Sequence, residues 1–134
     1  MSFLIVGLAG MAGAVSRYLL GVWTTGMWVS VFPLGTLICN YLGCFSLGLL
    51  QQYLIHRRVT STWLRLGLGT GFIGSFTTFS TFSVETIQLI NHSEWSIAFL
   101  YVSCSILGGL IMSGLGYTIG DFLLKKHLTE GDHL

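Results

Sequence analysis

The chain has 134 residues, of which 52% are hydrophobic and 8% are charged, and its formal net charge is +1. Soluble domains carry roughly 25% charged residues, so this composition excludes most soluble folds and indicates an integral membrane protein. A transmembrane barrel is excluded as well, because barrel strands alternate apolar and polar residues and these segments do not. The near-neutral charge gives no indication of nucleic acid, and we expect no nucleic-acid partner.

Four apolar segments follow one another along the chain, each long enough for a transmembrane helix of about 20 residues. We predict a single all-α transmembrane domain with spans at about residues 3–23, 34–54, 66–90 and 96–123, and a polar tail at 125–134. Three cysteines (Cys39, Cys44 and Cys104) lie inside apolar runs without a CxxC pattern. We interpret them as packing residues and not as metal ligands.

Positive charges predict the orientation. With four spans, both termini and the middle loop share one side of the membrane. That side carries Arg57, Arg58, Arg65, Lys125 and Lys126, whereas the opposite loops have no Lys or Arg, with only Arg17 near them. Because cytoplasmic loops are enriched in Lys and Arg, we predict a cell-membrane protein with both termini in the cytoplasm.

Polar residues in the first two spans have two possible roles each. Arg17 can extend to the interface from span one, or it can place a positive charge at the mouth of an anion pathway. Asn40 in span two can hydrogen-bond another helix, or its amide can donate to an ion in a pore. Thr36 lies one turn before Asn40 on the same face, which slightly favours a polar lining.

The third span contains the most unusual stretch, Gly71–Glu85. Five hydroxyl residues occupy the seven positions from Thr77 to Ser83, and four glycines precede them at 67, 69, 71 and 74. Hydroxyl side chains bond to nearby backbone groups and glycine weakens a helix, so we predict a break at mid-membrane. The alternative is a continuous helix whose hydroxyls bond to their own turn. A broken backbone in a membrane exposes carbonyl or N–H groups that bind ions.

Two aromatic residues and one acid complete this stretch. Phe79 and Phe82 are three positions apart and therefore share one helix face. They either pack or turn their positive ring edges toward an anion. Glu85 is either paired with a cation or near the interface, or it supports the site indirectly. In span four, Tyr101, Ser105, Gly109 and Ser113 recur every four residues, which predicts either close helix packing or a track of hydroxyl donors.

Three motifs in this order resemble the Fluc/CrcB-type fluoride channels. They are Gly-Xaa-Xaa-Gly-Ala-Xaa-Xaa-Arg-Tyr at residues 10–18, Gly-Thr-Xaa-Xaa-Xaa-Asn at 35–40, and Gly-Xaa-Xaa-Gly-Xaa-Xaa-Thr-Thr-Phe-Ser-Thr-Phe-Ser-Xaa-Glu at 71–85. The resemblance extends over nearly the whole chain except the tail. It implies a subunit of four transmembrane helices, with the third broken at mid-membrane, in an antiparallel, dual-topology-type dimer with two fluoride pores.

The resemblance also implies residue roles. A structural sodium ion (Na+) at the dimer centre is expected on the backbone carbonyls of Gly74 and Thr77. Arg17 and Glu85 would support the vestibule. The pore would be lined by Asn40, Phe79, Phe82, Thr36, Ser80, Thr81, Tyr101, Ser105 and Ser113.

Two features depart from the family pattern. Gly109 stands where related members often have a serine, so the track lacks one hydroxyl. The bias of five Lys/Arg on one side against one on the other fits poorly with a subunit that inserts both ways. The antiparallel partner is therefore either a second copy of this chain or an oppositely oriented paralogous subunit.

These observations predict a passive channel that exports cytoplasmic fluoride and lowers its toxicity. The alternative is a small proton-coupled exporter of the four-span dimeric type. That class needs an acid deep in the first span, where this chain offers only Arg17. An enzyme is disfavoured, because no nucleophile–base pair or metal cluster is evident.

Overall fold

The structure is a computed structural model that describes residues 2–28, 30–56 and 62–131. Its helices are α1 (Ser2–Met27), α2 (Leu34–His56), α3 (Thr62–Leu64), a π-helix (Arg65–Ile73), α4 (Gly74–Phe76), α5 (Ser80–Asn91) and α6 (Trp95–Gly131). The residues described contain no β-strand, which confirms the prediction of an all-α protein.

Three of these helices are long and apolar enough to cross a membrane, over Ser2–Met27, Leu34–Ile55 and Trp95–Lys125. Their apolar side chains are largely exposed on the single subunit, as expected of surfaces that face lipid. The chain is thus a multi-pass membrane protein. The segment from Thr62 to Asn91 is divided into shorter helices, none of which reaches the roughly 20 residues of a span by itself.

The helix ends differ from the sequence prediction at two places. α1 continues to Met27, four residues past the predicted end, and α6 continues to Gly131. Residues 125–131 of the predicted polar tail are therefore helical, and residues 132–134 lie outside the described residues. Arg57 and Arg58 of the basic loop also lie outside them.

Helices α2 and α6 make the most extensive contact in the subunit, and glycines allow their close approach. A Cβ atom on Gly116 would meet the Phe45 carbonyl oxygen, and one on Gly108 would overlap the Tyr41 ring. The Tyr41 hydroxyl donates to the Cys104 carbonyl oxygen at 2.6 Å. Small residues are the usual device for bringing membrane helices together.

Helix α1 packs against the π-helix in a similar way. A Cβ atom on Gly13 would meet the Phe72 carbonyl oxygen, and one on Gly71 would lie 2.9 Å from the Val6 carbonyl oxygen. Gly10 faces Ser75, whereas Gly7 has no neighbour within 4 Å. Gly7, Gly10 and Gly13 are spaced three residues apart in α1. Two of them, Gly10 and Gly13, therefore lie at a helix contact.

A small core joins α2, α5 and α6. Its buried members are Leu37, Leu89, Ala98 and Tyr101, and Phe32 and Phe82 pack against them. This core holds the start of α5 against the long helices, and so it positions the segment that precedes α5.

Candidate functional site

The chain between α4 and α5 is not helical. α4 ends at Phe76, Thr77 is extended with φ −78° and ψ 158°, and α5 begins at Ser80. The Asn40 side chain bonds to this segment from α2. Its Nδ2 donates to the Thr78 carbonyl oxygen at 3.0 Å, and its Oδ1 accepts from the Thr78 N–H at 2.8 Å. One side-chain amide thus satisfies both backbone groups of Thr78, which an apolar environment would otherwise leave unpaired at high cost.

The Thr78 hydroxyl organises the residues that follow. Its Oγ1 accepts from the Thr81 N–H at 3.1 Å and donates to Thr81 Oγ1 at 3.0 Å. The Ser80 hydroxyl lies 3.3 Å away. The bond to the Thr81 N–H closes the first turn of α5 as an N-cap side chain does. The Thr78 side chain is therefore fixed at the point where the helix resumes.

Thr78 was missed by the sequence analysis. The available signal was a hydroxyl residue three positions before the amide that it caps, immediately ahead of a helical stretch. The partner that fixes its backbone, Asn40, lies 38 positions away in sequence. No local pattern indicates that contact.

A cavity of about 860 Å³ lies on one side of the interrupted segment. It is bounded by α1, α2 and the first turns of α5. Five of the predicted site residues line it, together with Thr78, namely Arg17, Thr36, Ser80, Thr81 and Glu85. The structure therefore brings the predicted vestibule residues together with the hydroxyls of α5.

A second cavity, of about 400 Å³, lies on the other side of the segment. Its lining includes Asn40, Phe79, Phe82, Ser105, Gly74 and Thr77, and Thr78 again contributes. The Phe79 and Phe82 rings are 5.8 Å apart between centroids and tilted by 38°. Phe79 is 79% exposed on the single chain, so its ring faces lipid or another chain.

Glu85 is held by two hydroxyl donors. Its Oε1 accepts from Thr36 Oγ1 at 2.8 Å, and its Oε2 accepts from the Tyr101 hydroxyl at 2.7 Å. Tyr101 is fully buried and packs on Phe82, with the ring centroids 5.2 Å apart. Both carboxylate oxygens of Glu85 therefore have a hydroxyl donor.

The predicted polar track of span four is divided. Ser105 lines the second cavity, and its buried Oγ has no hydrogen-bond partner among the described residues. Tyr101 bonds Glu85 and, like Ser113, is not among the residues that line either of the two cavities described. Ser113 instead lies at the α2–α6 contact, where its carbonyl oxygen faces Gly48.

The interruption also removes the usual donors of two carbonyls. In an α-helix the Gly74 carbonyl would accept from the Thr78 N–H, but that N–H donates to Asn40. The Thr77 carbonyl would accept from the Thr81 N–H, which donates to the Thr78 hydroxyl instead. Among the residues described, no group of three His, Cys, Asp or Glu side chains is placed to hold a metal ion.

Comparison with known proteins identifies the family. The family model for CrcB-like protein, Camphor Resistance (CrcB), matches residues 4–117. This chain belongs to the CrcB-like protein family. It is 69% identical over 132 residues to a protein of Bacillus cereus named fluoride-specific ion channel FluC 1, which covers 98% of this chain and 96% of the relative. It is 44% identical over 133 residues to fluoride-specific ion channel FluC 2 of Listeria monocytogenes, which covers 99% and 98%. The family resemblance seen in the sequence motifs is confirmed.

Gly109 of this CrcB-like chain lines the second cavity without a side chain. A Cβ atom there would lie 3.7 Å from Cys44 Sγ, an ordinary van der Waals contact. A Cβ atom would thus fit at this position without displacing its neighbours.

Proposed function

We propose that this protein is a fluoride-selective ion channel through which cytoplasmic fluoride leaves the cell passively, which lowers its toxicity. Relatives at 69% and 44% identity are named fluoride-specific ion channels. The observation on this chain that carries the proposal is the pair of cavities that adjoin at Thr78, the first with Arg17 and hydroxyl residues in its lining and the second mostly apolar with Asn40 and Ser105. The function is conduction and not catalysis.

The lining suits a small anion that binds water strongly. Such an ion enters a narrow path only if hydrogen-bond donors replace its hydration shell. Arg17 supplies a positive charge to the first cavity. Donors and positive ring edges would then come from Ser80, Thr81, Asn40, Ser105, Phe79 and Phe82, whereas the Thr36 proton is donated to Glu85. Chloride gains less from closely spaced donors because it is larger and less strongly hydrated, and it would be excluded.

A passive path is sufficient for export. Fluoride enters from acidic surroundings as neutral hydrofluoric acid and dissociates in the more alkaline cytoplasm, where the anion is trapped. A channel for the anion then lets it leave down its electrochemical gradient. Both oxygens of Glu85 are held, by Thr36 and by Tyr101, so this acid would act as a fixed support for the vestibule.

We propose that the working unit is an antiparallel dimer with two pores. Each subunit would be one transmembrane domain of four spans, the third broken at mid-membrane between Phe76 and Ser80. The 79% exposure of Phe79 supports this assembly, because a partner subunit would cover the ring and close the second cavity. The partner is a second copy of this chain or an oppositely oriented paralogous subunit.

A sodium ion at the dimer centre is also part of the proposal. The Gly74 and Thr77 carbonyls have lost their helical donors to Asn40 and the Thr78 hydroxyl, and oxygen ligands of unwound backbone are typical of Na+ sites in membranes. These two carbonyls from each subunit would hold the ion. The ion would contribute a fixed charge that locks the two interrupted segments together.

Fluoride efflux from proteoliposomes tests the function. We expect the purified protein to release fluoride, measured with a fluoride electrode, when valinomycin and potassium balance the charge. Release should need no proton gradient, and chloride release should stay at the level of empty liposomes. If fluoride leaves only when a proton gradient drives it, the proton-coupled exporter is the correct interpretation. If no fluoride leaves with folded protein present, the chain alone is not a channel.

The aromatic residues are tested with a matched control. We expect Phe79→Ile and Phe82→Ile to lower fluoride efflux by roughly fivefold or more, since each removes a ring edge that contributes about 1 kcal/mol or more in a dehydrated site. Phe99→Ile is the control, because Phe99 is also largely exposed, at 76%, but lines neither cavity. Equal efflux in all three variants would refute the role of the rings.

Orientation is tested by reporter fusions at the C-terminus. The five-to-one Lys/Arg bias predicts activity of a cytoplasmic reporter and none of a periplasmic or extracellular one. Equal activity of both reporters would instead indicate dual insertion and a dimer of identical chains.

A further inference from the structure

The two cavities share one lining residue among those described, and that residue is Thr78. Arg17, Thr36 and Glu85 are on one side of it, and Asn40, Phe79 and Phe82 are on the other. Thr78 is 9% exposed, so its side chain is enclosed and little of it contacts open space. The two cavities therefore adjoin at this residue.

Both the backbone and the side chain of Thr78 are held by hydrogen bonds. Its backbone is held by the two bonds to the Asn40 amide, at 3.0 and 2.8 Å. Its hydroxyl is held by Thr81 through the bonds at 3.1 and 3.0 Å. Because a hydroxyl has one proton and two acceptor lone pairs, Thr78 can redirect its proton from Thr81 Oγ1 to an ion while it still accepts from the Thr81 N–H. The backbone bonds to Asn40 need not change in that exchange.

We propose that Thr78 forms the neck between the two cavities and donates its hydroxyl proton to fluoride as the ion passes, with Asn40 as the residue that positions it. This inference rests on the proposed fluoride channel function and identifies a selectivity-determining residue within it. The hydroxyl replaces a water molecule of the ion at the narrowest point. The γ-methyl group of Thr78 limits the width of the neck and so excludes larger anions.

Valine and serine separate the two features of the Thr78 side chain. Thr78→Val keeps its shape and removes the donor, so fluoride efflux should fall roughly ten- to a hundredfold, the loss expected for one hydrogen bond to a charged group. Thr78→Ser keeps the donor and should remain within about threefold of the wild type, with measurable chloride release because the neck is wider. Thr86→Val is the matched control, since the Thr86 hydroxyl bonds only within its own helix, to the Phe82 carbonyl.

If Thr78 only capped α5, Thr78→Val would also lose that role and Thr78→Ser would keep it. A second measurement is therefore required. In a variant with Cys39, Cys44 and Cys104 replaced by alanine, Thr78→Cys should react with a small cationic methanethiosulfonate reagent and lose conduction. Fluoride should slow that reaction, because the ion and the reagent occupy the same place. Thr86→Cys in the same background should keep its conduction after treatment.

The outcomes separate this inference from the proposed function. Wild-type efflux in the same preparation establishes the channel independently of Thr78. If the wild type conducts and Thr78→Val conducts equally well, Thr78 is not the neck. The inference is also overturned if Thr78→Cys does not react, or if its modification leaves fluoride efflux intact. Loss of efflux on modification, slowed by fluoride, supports it.

Discussion

The helix contacts and the interrupted segment of this protein satisfy the backbone in different ways. At the contact of α2 and α6, both helices keep their own backbone hydrogen bonds. The close approach there depends on small side chains, as at Gly116 beside the Phe45 carbonyl. At the interrupted segment the helical bonds are absent, and side chains of Asn40 and Thr78 take their place. The helix contact depends on small side-chain volume, and the interrupted segment depends on hydrogen-bonding groups.

This difference follows from the bilayer. Lipid provides no water to pair with a free N–H or C=O group, so each interruption of a helix needs a specific polar partner. A close helix contact needs only small side chains, such as those of glycine, at the contact. The two regions should therefore respond to opposite kinds of substitution, the contacts to added size and the segment to lost polarity.

The largest expected effect is at the helix contact. Gly116→Val places a side chain against the Phe45 backbone and should destabilise the subunit by about 3 kcal/mol, enough to abolish recovery of folded protein. Gly114→Val is the control, because a Cβ atom there has no neighbour within 4 Å. Melting followed by fluorescence-detected size-exclusion chromatography measures both variants. Similar losses at both positions would show that volume at the contact is not the cause.

The next effect is at the interrupted segment. Asn40→Ala removes both bonds to the Thr78 backbone, and two unpaired backbone groups cost roughly 1–3 kcal/mol each. We expect fluoride efflux to fall by about a hundredfold or more because the segment loses its shape. Ser46→Ala on the same helix is the control, since Ser46 is exposed. If Asn40→Ala conducts normally, the amide does not position the segment.

A smaller effect is predicted for the tyrosine that supports Glu85. Tyr101→Phe leaves the carboxylate with one hydroxyl donor and should lower stability by about 2 kcal/mol, as expected for a bond to a charged group. Tyr41→Phe is the comparison, because its hydroxyl donates to a neutral carbonyl and should cost about 1 kcal/mol. The apparent melting temperature gives both values. An equal or reversed order would show that the bond to Glu85 is no stronger than the bond to a neutral carbonyl.

The smallest effect concerns the gap at position 109. Gly109→Ser adds a hydroxyl to the second cavity with Cys44 Sγ as its nearest neighbour at 3.7 Å. We expect stability to be unchanged and fluoride efflux to rise up to about threefold, less than 1 kcal/mol in the barrier. Gly109→Ala adds volume without a donor and should give no increase. A decrease in both variants would show that the gap itself is required.

The sequence was sufficient for the features that depend on local composition. The apolar segments, the all-α fold and the family follow from hydropathy and from motifs that are contiguous in the chain. The concentration of hydroxyls between Thr77 and Ser83 pointed to the part of the third span where α4 ends and α5 begins. The grouping of Arg17, Thr36 and Glu85 around one cavity was expected only from the family resemblance, because nothing in their spacing brings three helices together.

The contacts between distant residues could not be read from the sequence. The residues left Asn40 either as an interhelical hydrogen-bonding group or as a pore donor, and the structure shows that its amide pairs with the Thr78 backbone. The four-residue spacing left Tyr101 either in a packing face or in a hydroxyl track, and its hydroxyl bonds Glu85 on another helix. In both cases one polar group had several chemically equivalent partners, and spacing along a helix does not distinguish among them.

The sequence by itself determined that this chain enters a membrane as helices and that its third span carries a polar, glycine-rich stretch, because both properties depend on neighbouring residues. The tertiary structure decided which groups satisfy that stretch. The contact of α2 with α6, at which glycines allow close approach, and the contact of α5 with α6 accompany the pairing of Asn40 with Thr78 and of Tyr101 with Glu85. No pattern of neighbouring residues fixes these pairs, because each pair joins separate elements of the fold.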